Sequence, residues 1–137
     1  MGSEITDERR EEGSEFVKGR DFEFAPTSTS SGLYYSFGHR VHQGFVSFDT
    51  YVPPEYNVEI TDGNSTKHVL TPGKFTFFDR IKLPVFVYSS YTTVPNGATP
   101  RVQIKNVNYE ITGTQLGDLT YSTSGNFPND GGAKSNI

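Results

Sequence analysis

A chain of 137 residues with no Cys, no Trp and a single Met at position 1 has room for one domain and offers neither a disulfide framework nor a thiolate metal site. A net charge of −4 and a pI near 5.3 argue against direct binding to nucleic acid, because phosphate recognition needs a basic footprint. No run reaches the roughly 18 apolar residues of a membrane span, and the acidic N-terminus is not that of a signal peptide, so the chain as given is expected to be soluble.

The charge is concentrated at one end. Residues 1–24 hold eight acids (Glu4, Asp7, Glu8, Glu11, Glu12, Glu15, Asp21 and Glu23) against four bases, while the rest of the chain balances eight against eight. An acidic arm joined to a neutral body points to a partner. The body is rich in Val, Ile, Phe and Tyr and poor in Leu and Ala, the composition of pleated, half-buried surfaces rather than of helices.

Within the arm, Thr6 to Gly13 has the cap, the early acids and the stop signal of a two-turn helix, but a helix so short is marginal alone and a solvated terminus is the plainer expectation. Phe16, Phe22 and Phe24 share one parity, against Val17, Asp21 and Glu23 on the other, and predict an extended strand ended by Pro26. A Ser/Thr linker follows over Thr27 to Gly32. Leu33 to Phe37 and Val41 to Val52 read as strands, the second with Val46, Phe48, Thr50 and Val52 inward. Tyr56, Val58 and Ile60 alternate with polar residues, and Asp62-Gly63-Asn64-Ser65 turns that strand into Lys67 to Leu70 as a hairpin.

From Phe75 to Tyr88 the parity changes once, predicting a bulge near Phe78 and Asp79, and Pro84 inside the run predicts an edge or a crossing between sheets. A strand over Tyr91 to Val94, a long one from Arg101 to Thr112 with a second bulge at Lys105-Asn106, and a last one from Leu116 to Tyr121 complete the body. The expected core is Val46, Phe48, Val58, Ile60, Phe75, Phe77, Leu83, Val85, Val102, Ile104, Tyr109 and Ile111. About eight short strands with turn signals between them predict an all-β fold, an antiparallel two-sheet sandwich of jelly-roll-like form. The divisions are an arm and linker over 1–32, the sandwich over 33–121 and a flexible Gly/Asn-rich tail over 122–137.

Motifs for chemistry are weak. His39 and His42 lie three apart, on opposite faces of any strand, and with His68 make a poor metal set. Asp62-Gly63-Asn64 resembles the start of a calcium loop, but its sixth and twelfth places hold Lys67 and Gly73, so a hairpin turn explains it better. Asn64-Ser65-Thr66 has the form of a glycosylation acceptor, relevant only on a secretory route. No Ser sits in a Gly-x-Ser-x-Gly elbow, and the body acids fall on turns or polar parity, so no enzyme activity and no cofactor are expected.

The expectation is therefore a structural assembly subunit, such as a capsid decoration or cement protein of a virion or a comparable filament or surface-layer subunit. Its partners would be copies of itself or a capsid or filament protein, in a virion or extracellular assembly. The expected interface is the arm: Phe16, Val17, Phe22 and Phe24 with Glu8, Glu11 and Glu12, adding to a neighbouring subunit. The alternative is a carbohydrate- or receptor-binding module with Tyr34, Tyr35, Tyr51, Tyr88 and Tyr91 as a stacking platform, weakened by the lack of Trp.

Overall fold

The structure, a computed structural model, describes residues 14–24, 33–38, 43–91, 102–112, 119 and 121–124. These residues form ten strands: β1 (Ser14–Lys18), β2 (Phe22–Phe24), β3 (Leu33–Phe37), β4 (Gly44–Val52), β5 (Tyr56–Thr61), β6 (Lys67–Val69), β7 (Lys74–Lys82), β8 (Val85–Tyr91), β9 (Val102–Thr112) and β10 (Tyr121–Ser124). They make two five-stranded antiparallel sheets, one ordered β1-β9-β4-β7 with β2 also on β9, the other β10-β3-β8-β5-β6. Every successive pair of strands except β1–β2 and β5–β6 crosses from one sheet to the other. The expected all-β antiparallel sandwich is what the chain builds.

Strict alternation produces the layers. Along β4 and β8 every second residue is buried, so each strand gives one face to the interior and one to solvent. Phe37, Phe48, Val52, Ile60, Val85, Val87, Val102, Ile104 and Val107 are fully enclosed, and the Phe37 and Phe48 rings meet edge-to-face at 5.3 Å across the core.

Two bulges flank the middle of β4. On one side Ser47 stands opposite both Asp79 and Arg80, and on the other Phe48 stands opposite both Asn106 and Val107. Arg80 and Asn106 take the left-handed backbone conformation, at φ 52° and 57°. Side chains satisfy the freed amides: Arg80 N donates to Ser47 Oγ at 2.9 Å, and Asn106 N donates to Asp21 Oδ1 at 2.8 Å. Both bulges lie where the parity changes placed them.

The bulge in β7 overturns one expectation. The extra residue keeps Phe78 and Ile81 on the same inward side although their spacing is odd, which sends Phe75 and Phe77 outward. They are 56% and 62% exposed, whereas Phe78 is buried and stacks on Phe48 at 5.3 Å. The other ten expected core residues are buried. Past β7 the chain changes sheets through Leu83-Pro84, so the long run splits into β7 and β8, with the proline at the crossing. The β5–β6 turn docks there: Gly63 N donates to the Lys82 carbonyl at 2.7 Å, and a Cβ at Gly63 would lie 2.2 Å from the Leu83 oxygen, leaving room only for glycine.

The ends also differ from expectation. The arm strand, expected to add to a neighbouring subunit, pairs with β9 of its own chain as β1 and β2. Its inward rings explain this: Phe22 lies 4.4 Å from Tyr35 and 5.6 Å from Phe37, and Phe24 is only 4% exposed. Gly19 lets the arm pass close to Tyr109, whose ring would be 2.6 Å from a Cβ at that position. The last described strand is Tyr121–Ser124, on β3, and positions 116–118 and 120, within the strand expected from Leu116 to Tyr121, lie outside the described residues. Its Ser and Thr residues carry little apolar signal, because backbone pairing with the rim of β3 holds the strand. Tyr91 ends β8, and positions 92–94, where a further strand was expected, lie outside the described residues.

Candidate functional site

The three exposed large apolar side chains among the described residues are Val69, Phe75 and Phe77, at 74%, 56% and 62% exposure. All three lie on β6 and β7, the last strand of each sheet, which Leu70 to Gly73 join. Within the described residues β7 pairs on one side only, with β4. Pairing of Asp49 with Phe77 and of Tyr51 with Phe75 sets both phenylalanines on the outer side of the sheet, where the Tyr51 and Phe75 rings are 5.1 Å apart. The result is an aromatic strip beside a row of backbone groups that can accept another strand.

Cations border the strip. Phe16, Glu110, Phe45 and Lys82 are successive neighbours in one row across the outer side of the sheet. The Arg80 guanidinium lies 4.7 Å and the Lys82 ammonium 5.8 Å from the centre of the Phe45 ring. Arg80 Nε donates to Glu110 Oε1, and Glu110 is 2% exposed although it points outward. The ion pair therefore anchors the bulge beside Phe45, at the other end of β7 from the strip, while Lys74 and Lys82 mark the two ends of β7.

The turn after β5 is a closed hydrogen-bonded unit rather than a cation loop. Asp62 Oδ1 accepts the amides of Asn64 at 2.9 Å and Thr66 at 3.0 Å, and Oδ2 meets His68 Nε2 at 3.2 Å. Burial pushes the Asp62 carboxyl up, but the Thr66 amide, the His68 ring and the Asn64 amide together outweigh it and hold the group below the ordinary carboxylate range. A lowered folded-state pKa contributes stability above the unfolded value and loses it as pH falls through the folded one. Asp62→Ala should therefore cost about 1.5–3 kcal/mol at neutral pH. In urea melts at a series of pH values the gap from wild type should close below the ordinary carboxylate range; a constant gap down to strong acid would refute the account.

The residues expected to form sites are scattered. Tyr35 and Tyr91 are buried at 3% and 8% exposure, Tyr51 is on the outer side of the β4 sheet, and Tyr34 and Tyr88 pair on the outer side of the other, 4.9 Å apart. Parity makes the reason plain: neighbours Tyr34 and Tyr35 must face opposite ways, so the five cannot share one platform. Val17 packs against the core from β1. His39, His42, Glu8, Glu11 and Glu12 lie outside the described residues. Among the described residues no group of three or more His, Asp or Glu could hold a metal ion, and no helix is long and apolar enough to cross a membrane. The opposite rim holds an open depression lined by Asp21, Phe22, Glu23, Gln103 and Lys105.

The strip on β7 was missed in the sequence, although one signal was present. Phe77 and Phe78 are consecutive, and two consecutive residues of a strand cannot both face the core. No protein-family model, curated protein or solved structure matches the chain.

Proposed function

We propose that this protein is a non-enzymatic assembly subunit that binds another protein chain along β7, in a particle such as a virion, where it would act as a decoration or cement protein, or in a filament or surface layer. The observation that carries the reading is the exposure of Phe75 and Phe77 on the outer side of β7, the last described strand of its sheet. Exposed aromatic side chains beside a long strand that, among the described residues, pairs on one side suit strand addition, in which backbone bonds supply affinity and side chains supply selectivity. A jelly-roll-like winding of the sandwich belongs to the same proposal, supported by the repeated crossing of the chain between sheets.

The Tyr34 and Tyr88 pair favours a second reading, a sugar-binding face, but less well. Its rings are tilted by 51° to one another and do not form a flat stacking surface.

A photoreactive phenylalanine analogue in place of Phe77, with one in place of Tyr88 as comparison, tests the proposal in the cells that make the protein. Crosslinking to a polypeptide from position 77 and not from 88 is the expected result. No polypeptide adduct at 77, together with glycan-array binding lost in Tyr88→Ala, would reject it in favour of the second reading.

A further inference from the structure

The exposed stretch of β7 is complementary to itself, and we infer that the polypeptide it binds is a second copy of this chain, paired β7 to β7 across a two-fold axis with Phe75 of each copy opposite Phe77 of the other. This rests on the assembly reading above and names its partner. Three observations carry it.

The first is the state of the edge. Native sheets blunt their last strands with charges, prolines or bulges. β7 has a charge at Lys74 and its bulge at Asp79 and Arg80, but Phe75 to Phe78 between them carry neither charge nor proline, and among the described residues their strand partner is β4 alone. The bulge bends the strand beyond this point, so Lys74 to Phe78 is the straight part available for pairing. A two-fold contact along it uses the edge of both copies at once, and the contact closes.

The second is register. Residues directly opposite in an antiparallel pair share one side of the sheet, so a two-fold axis through β7 must set outer residues against outer ones. Centring the axis on Phe75 leaves Phe77 opposite Gly73, and centring it on Phe77 leaves Phe75 opposite Asp79. Centring it on Thr76 sets each Phe75 against the second copy's Phe77, and both exposed rings of each copy gain an aromatic partner. Tyr51, its ring 5.1 Å from that of Phe75, extends each aromatic row into β4. On the inner side Thr76 meets the second copy's Thr76, a favourable cross-strand pair. The third is charge. Lys74 is the one ionised side chain of the paired stretch, and this register places it opposite the second copy's Phe78 and next to its Asp79, at both ends of the contact. The two lysines stand about 13 Å apart along the strands, so no like charges are opposed.

Sedimentation velocity of the full-length protein tests this. Wild type should associate with rising concentration. Phe75→Lys and Phe77→Asp should each weaken association at least about tenfold, because a two-fold contact meets every substitution twice. One chain carrying both changes should recover association, since each new ammonium then faces a new carboxylate, and recovery shows that neither single variant is merely misfolded. The absence of Cys from the chain allows a check of register. Thr76→Cys should give a disulfide-linked dimer on mild oxidation and Lys74→Cys should not, because a disulfide spans no more than about 7 Å between Cα atoms. Single variants that associate like wild type, a double variant no better than either single one, or equal linkage from positions 74 and 76 would overturn the pairing. A wild-type protein that stays monomeric, while position 77 crosslinks to a different polypeptide, would remove the second copy as partner and leave the assembly reading standing.

Discussion

Phe48→Ala is expected to lower stability by about 3–5 kcal/mol, whereas Phe77→Ala should change it by no more than about 0.5 kcal/mol. The residues are of one type and lie on paired strands within the same register segment, so the contrast isolates burial. Phe48 is wholly enclosed and touches Phe37 and Phe78, both at 5.3 Å between ring centres. Its removal leaves a cavity between the sheets, and the two bulges that hold β4 limit how far the surroundings can close. Phe77 is 62% exposed, and truncating it removes mainly surface in contact with water. Chemical denaturation of both variants measures the difference directly. Similar midpoints for the two would mean that the facing of β7 is reversed.

Arg80→Ala should cost about 3 kcal/mol, the lower end of the range for breaking a buried pair, because the arginine side chain is 33% exposed. Glu110 is the reason for the size of the effect. Its side chain is 2% exposed, Arg80 bonds one carboxylate oxygen, and the other has no hydrogen-bond partner. Without the guanidinium a charge stays enclosed under Phe45 and Phe16. Replacing both members, Arg80→Met with Glu110→Leu, should recover most of the loss, since no charge is then left without its counterpart. A double-mutant cycle by equilibrium unfolding checks this; additive losses would show that the two side chains act independently.

The legible parts of the fold are those in which a residue's own neighbours decide its environment. Val46, Phe48, Thr50 and Val52 alternate with polar residues, and period-two burial follows from chain geometry alone. The parity change at Lys105-Asn106 could be read in the same way, as could the turn at Asp62, where the carboxylate bonds amides two and four residues onward. The candidate site was less legible. Phe75 and Phe77 have the pattern of core residues, and whether they or Phe78 faced inward depended on which side of the bulge set the register with β4.

By itself the sequence determined the all-β class, the strand periods, the turns, both bulges and the segregation of acidic charge into the arm, because these arise from local stereochemistry and composition. Only the tertiary structure decided which strands stand at the rims, that β1 and β2 belong to this chain's own sheet, and that Phe75 and Phe77 face outward on β7. The physical reason is that sheet order and rim position come from pairing between residues far apart in the chain. Asn106 with Asp21 and Arg80 with Glu110 are such contacts, 85 and 30 residues apart. No window of neighbouring residues contains both members.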